Sequence, residues 1–400
     1  MRSSRTAQLG AVGVVAALVL VIVVGANALG IMGGSPSPSP VAQASTPPTT
    51  ATTEPSATAS PTASPSPTPV PTPTAVPTPV TVAAPLTGER VDPAIARRHP
   101  IAVMIDDLRP ARPQSGLSQA DVVWQAPAEG GIPRYMAIFQ TELPKDIGPV
   151  RSSRYYYITW AAEWRAIYTH AGGSPQALNT LKSKGRGQYV YNLDAFRHPS
   201  AFRRIKTRSA PHNLYTTGPN LRKTGGAIGA KDQAYKAAWN FAPDAPLDQR
   251  PSGGSITVSY LANTITYKYD RTSNTYFRSV TGEAKQTDAS NKQRIAPKNV
   301  IVMRMKFGPL GDNPHKGRLE ADVIGSGKAW IATNGKTIVG TWKKTSVTGP
   351  TQFFDGQGKP VTLTIGQTFI NVMQLSSPVS FKAGKPPAPA TPVASPTPSQ

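Results

Sequence analysis

The 400-residue chain contains no cysteine, only five histidines, and 21 acidic residues against 43 basic ones. Without thiols there are no disulfides, zinc–thiolate centres, iron–sulfur clusters, thiol catalysis or thioether-linked lipid anchor. The few histidines are scattered, and none has the short spacing of a metal motif. No cofactor or metal is therefore expected. There is no basic recognition helix or zinc-finger spacing, so sequence-specific nucleic-acid reading is not expected either. Glycine shows no three-residue period, which excludes a collagen-like fibre.

Proline, in contrast, is abundant, and its placement divides the chain. Of 42 prolines, 14 lie between Ser35 and Ala84 and 6 follow Lys385. Apart from Gln43 and Glu54, Ser35–Ala84 is otherwise Ser, Thr, Ala and Val, which cannot bury enough apolar surface to offset the entropy of ordering. It is expected to be a disordered, semi-rigid stalk reaching on the order of 150 Å at ~3.1 Å per residue. The tail 383–400 has the same character. Ahead of the stalk, Arg2 and Arg5 precede a charge-free apolar run from Leu9 to Val24. Residues 1–34 thus read either as a single-pass membrane helix with a cytoplasmic N-terminus or as a signal peptide cleaved after Ala26-Asn27-Ala28. Both readings place the body outside the cytoplasmic membrane.

The charge belongs to that body. Between Pro85 and Lys385 lie 41 of the basic and 20 of the acidic residues. A field of this sign draws polyanions such as wall polymers, or it simply aids solubility.

The body reads as two domains. Residues 85–245 mix helix and strand signals and suggest an α/β domain with a mixed sheet. His99–Ile105 is a short apolar run ending in Asp106-Asp107, a buried strand that delivers carboxylates at its end. Val122–Trp124, Tyr135–Phe139 and Ala166–His170 are further strands. Tyr155–Arg165, the segment after Ser174-Pro175 and Lys231–Trp239 read as helices, with Ser174 as N-cap and Pro175 at the first helical position. After a Pro/Gly-rich linker the period changes to two, and 246–382 reads as a mainly β barrel or sandwich. Asn334-Gly335 is its clearest hairpin turn.

Several pieces of the first domain go beyond pattern. Ala111–Asp121, Ala128–Ile132, Ile147–Arg154, His170–Ser174 and Pro211–Tyr215 together resemble the YerB-like lipoprotein family, bacterial tandem domains of unknown function. The resemblance extends to Val372 and implies a two-domain envelope protein. It supplies no activity. Many members carry a lipidated cysteine that this chain lacks.

The residues themselves suggest an anion site. Gly172, Gly173 and Ser174 form a strand–glycine–helix junction whose amides suit an anion, with His170 beside them. Arg151 and Arg154 offer bidentate contacts, and His212 and Asn213 complete the cleft. Asp106, Glu129 and Arg134 are further candidates. Each also has an architectural role open to it: a turn and cap at 172–175, internal hydrogen bonding by His170 and His212, ion pairs between Arg151 or Arg154 and Asp106, Asp107 or Glu129, and a Glu129–Arg134 pair across a turn. A metal site from Asp106, His170 and His212, or a Ser174–His–Asp106 triad, lacks supporting spacing.

The expected function is a membrane-tethered extracytoplasmic binding protein for an anionic envelope ligand or wall polymer. The alternatives are an envelope hydrolase or transferase acting on wall glycans, with Asp106 and Glu129 as acid and base, and a scaffold for another envelope protein.

Overall fold

The computed structural model describes residues 79–387. The expected anchor at 1–34 and nearly all of the expected stalk lie outside the described residues, and among the described residues no helix is long and apolar enough to cross a membrane. Regular structure begins inside the segment read as stalk. Val82–Ala83 pairs with Arg90–Val91, and Ala84 and Leu86 are buried. At the other end, Lys385, read as tail, exchanges backbone hydrogen bonds with Ser252.

A ten-stranded mixed sheet organises the body. Its order is Gln352–Phe354, Lys336–Lys344, Gly325–Thr333, Asn299–Met305, Thr368–Gln374, Val122–Pro127, Pro133–Phe139, Ile101–Asp106, Ile167–His170 and Tyr191–Asp194. The first half does form the mixed sheet expected of it: Ile101–Asp106 is antiparallel to Pro133–Phe139 and parallel to Ile167–His170. The second half is mainly β, as expected, but it is not a self-contained barrel or sandwich. Thr368–Gln374 lies between the halves, parallel to Val122–Pro127 on one side and to Asn299–Met305 on the other. Both Asn299–Met305 and Thr368–Gln374 are buried almost throughout. That is the pattern of central strands covered on both faces.

Alternating side chains of the strand Ile101–Asp106 feed two cores. Ala102 and Met104 join Trp124, Tyr156, Trp160 and Leu181 on the face that carries the helices Tyr155–Ala161 and Pro175–Lys184. Ile101, Val103 and Ile105 join Ile256, Val258, Ile265 and Tyr267 on the other. Those last four belong to a four-stranded antiparallel sheet, Thr275–Val280, Thr264–Asp270, Ser255–Ser259 and Val379–Lys382.

Two helix expectations fared differently. Ser174 caps Pro175–Lys184, its Oγ accepting from Ala177 N at 3.4 Å. Lys231–Trp239 is not helical. Its backbone instead bonds to the segment before the first long strand: Gln233 N–H donates to Arg97 O, and Tyr235 OH lies 2.7 Å from His99 Nδ1. The helix in this part of the chain is Gly218–Ala227, capped by Thr217. Its three glycines conceal it from propensity, but packing demands one of them, because a Cβ on Gly225 would sit 2.2 Å from Ile167 Cδ1.

Candidate functional site

The strand Ile101–Asp106 ends at a cleft of about 370 Å³. Asp106, Leu108, Glu129, Ile132, Arg134, Arg151, Arg154, Lys316 and Arg318 line it. Three elements of the first half meet here: the strand end, the turn before Pro133–Phe139, and the loop 150–154. Lys316 and Arg318 arrive from the second half on the connection between Phe307–Pro309 and Leu319–Ala321.

Glu129 is the hub. Arg134 Nη2 lies 3.2 Å from its carboxylate, Arg154 Nη2 contacts its other oxygen, and Arg318 Nε lies 4.0 Å away. Burial pushes the Glu129 carboxyl up, but Arg134 and Arg154 outweigh it and hold the group below the usual carboxylate range. Asp106 is the second anion. Its Oδ2 lies 2.7 Å from His212 Nδ1 and 3.1 Å from Arg151 Nε, and its Oδ1 accepts from Leu108 N–H. Asp312 holds Arg318 from outside the cleft at 2.6 Å. Five cations thus face three carboxylates, an excess of two positive charges.

The cations are incompletely served. Arg151 Nε and Arg154 Nε are buried without a hydrogen-bond acceptor; the contact of Arg151 with Asp106 lacks hydrogen-bond geometry. Burial lowers the pKa of both guanidinium groups, and the like charge of Arg134 lowers them further. An entering anion would offset the burial of these charges and the repulsion from Arg134.

The loop that carries the two arginines is pinned from behind. Ser153 N–H donates to Gly172 O, Ser174 N–H donates to Ser153 O, and Ser153 Oγ meets Tyr168 OH at 2.8 Å. The structure thus places His170, Gly172, Gly173 and Ser174 behind the arginine loop; none of them lines the cleft. Gly172 N–H is turned to Asp194. His170 Nδ1 lies 2.8 Å from Gly172 O, and Nε2 lies 2.7 Å from the Asn192 side chain, so both ring nitrogens have partners inside the fold. Ser174 is committed to its cap. Asp106 and His212 do pair, but Ser174 lies behind the arginine loop in its cap, so a Ser174 triad is not assembled. No cluster of three or more His, Asp or Glu suited to a metal occurs among the described residues.

His212 and Asn213 sit in the hairpin formed by Phe202–Arg204 and Leu214–Thr216. Asn213 braces that hairpin through Ile205 O and Arg204. Arg208 anchors it to the body through Ala111 O and Pro113 O, and braces it internally through Tyr215 OH. This anchoring sets His212 against Asp106. Lys316 and Arg318 escaped the sequence reading, although the basic run His315-Lys316-Gly317-Arg318 was a visible signal.

The comparisons with known proteins agree with the fold. Residues 86–232 match the N-terminal domain, and 256–370 the C-terminal domain, of the family described as “Protein of unknown function (DUF3048)”. The chain is 33% identical over 311 residues to the Bacillus subtilis (strain 168) protein named “Putative lipoprotein YerB”, spanning 75% of this chain and 88% of that one. It is also similar to the crystal structure of YerB from Bacillus subtilis, with a TM-score of 0.67 at 30% identity, covering 75% of this chain and 99% of the other.

Proposed function

We propose, from the premise that this chain belongs to the DUF3048 family, that it is a membrane-tethered envelope protein whose body binds an anionic ligand in the arginine cleft. The observation that carries this reading is the cleft lining itself, in which five cations face two carboxylates and, among the described residues, only Asp312, from outside, offsets one more charge. The name of the Bacillus relative speaks of a lipoprotein. This chain has no cysteine to lipidate, so its tether is the apolar segment at 1–34. The stalk then carries the body outward to polymers of the wall.

Glycoside chemistry by Asp106 and Glu129 finds less support. Such a pair needs one carboxyl with a raised pKa to act as acid, and the arginines hold Glu129 lowered. The test is retention of the full chain, in an uncharged detergent, on phosphate-rich wall polymer. Wild type should remain bound at a salt concentration that strips nonspecific basic proteins. Arg151→Ala with Arg154→Ala should weaken retention at least about tenfold, since charge-assisted hydrogen bonds contribute roughly 1.5–3 kcal/mol each. Equal retention by the double variant would remove the cleft from the account.

A further inference from the structure

We propose that His212, which adjoins the cleft through its contact with Asp106, is the general base of a phosphodiester hydrolysis there; the inference rests on the anion-binding reading of the arginine cleft. Asp106 is nearly fully buried and is held by Leu108 N–H and Arg151. Its Oδ2 meets His212 Nδ1 at 2.7 Å. A carboxylate on Nδ1 fixes the tautomer that carries its proton there and leaves the lone pair on Nε2. Nε2 has no hydrogen-bond partner among the described residues, and the side chain is 16% exposed. His170, the other histidine near the arginine loop, has both nitrogens engaged. The hairpin that presents His212 is held to the body by two hydrogen bonds of Arg208 and braced by a third to its own Tyr215. Such rigidity suits a catalytic group better than a surface histidine needs.

The ligand class follows from the charges. Arg151, whose Nη1 and Nη2 have no hydrogen-bond partner among the described residues, offers a forked donor that suits the non-bridging oxygens of a phosphate group, while Arg154, its Nη atoms held by Ser153 O and Glu129, adds positive charge beside it. Water attacks phosphorus while His212 Nε2 takes its proton. The bond from phosphorus to the leaving alcohol breaks on the opposite side, the departing oxygen takes a proton from solvent, and Nε2 returns its own proton to solvent. The step needs no oxidant, reductant or co-reactant other than water. Phosphodiesters of this setting occur both in glycerol-phosphate wall polymers and in lipid headgroups.

The test uses the full chain in uncharged detergent with bis(p-nitrophenyl) phosphate as chromogenic probe. Separate arms contain a glycerol-phosphate polymer and phosphatidylglycerol vesicles, to tell the two sources apart. Wild type should turn over the probe and one of the two natural diesters. His212→Ala and His212→Asn should each lose about 10²–10⁴-fold in kcat, the usual contribution of general-base catalysis, while KM and inorganic-phosphate binding stay within twofold. The asparagine variant can still donate to Asp106, which guards against loss of the hairpin. Asp106→Asn should lower kcat more than it changes KM, as expected of a positioning residue. Phosphate binding without turnover of any diester, or unchanged kcat in both His212 variants, would overturn the base assignment and leave the binding reading standing. Absence of phosphate binding in wild type would remove both.

Discussion

Asp106 and Asp107 are neighbours in the chain and occupy opposite environments. Asp106 ends its strand at the cleft, where Arg151 and His212 meet it. Asp107 points into the join between the halves. Arg112 Nη2 lies 3.0 Å from its Oδ1, and Gln125 Nε2 donates to its Oδ2 at 2.7 Å. Gln125 accepts in turn from Arg278 at 2.7 Å, and Arg278 also donates to Tyr267 OH and Gln286 Oε1. The rings of Tyr135, Tyr267 and Phe369 surround that guanidinium. Burial still pushes the Asp107 carboxyl up against the pull of Arg112 and Arg278. The buried network is nearly closed, with each charge spent on a neighbour. The cleft is open, with donors to spare. The first kind of site joins parts, and the second kind receives ligands.

Substitution of one arginine in each region sharpens this contrast most. Arg278→Met should destabilise the protein by about 3–5 kcal/mol, because it breaks a buried charge network on one side only. Arg154→Met should cost clearly less, since Glu129 keeps Arg134 and Arg318 and removal of this incompletely bonded guanidinium also removes its desolvation penalty. Urea unfolding of both variants checks this. Similar losses would mean that the cleft is a structural ion-pair cluster like the network.

A smaller effect comes from a third carboxylate. Asp121 is buried with no cation beside it and accepts from Gln140 N–H, Thr141 N–H and Thr141 Oγ. Burial raises it to about 7, with these hydrogen bonds pulling the other way. The folded state therefore holds a proton that the unfolded state releases near its ordinary value of 3.8. The contribution of Asp121 to stability should fall as pH rises from about 4 to 7 and level off above that. In Asp121→Asn the slope over that window should become shallower by the share of one group, the raised Asp107 still contributing. An unchanged slope in the variant would show that another group titrates.

Parts of this arrangement were legible before the structure. The apolar run ending in Asp106-Asp107, the Ser174-Pro175 cap and the Asn334-Gly335 turn each carry a local signal, and each was found where the signal put it. Ion pairing of Arg151 and Arg154 with Asp106 and Glu129 was visible as an option. The helix Gly218–Ala227 was not legible, because its glycines are selected by contact with Ile167 and weaken local propensity. The shared sheet was also hidden. Alternation reports which face of a strand is buried but not which strand lies beside it. Lys316 and Arg318 belong to the cleft only through a connection far along the chain. The specific run Ala111–Asp121 proved to be joinery: Gly116 N–H and Ser118 N–H donate to Asp288 of the second half at 3.1 and 2.9 Å.

The most direct test is the position of a bound anion. Crystals of the protein soaked in tungstate, a heavy analogue of phosphate, should give an anomalous peak within hydrogen-bond reach of Arg151 and Arg154, with His212 at its edge. A peak against the exposed Arg203-Arg204 pair, with none between Arg151 and Arg154, would contradict the assignment of the cleft as the ligand site.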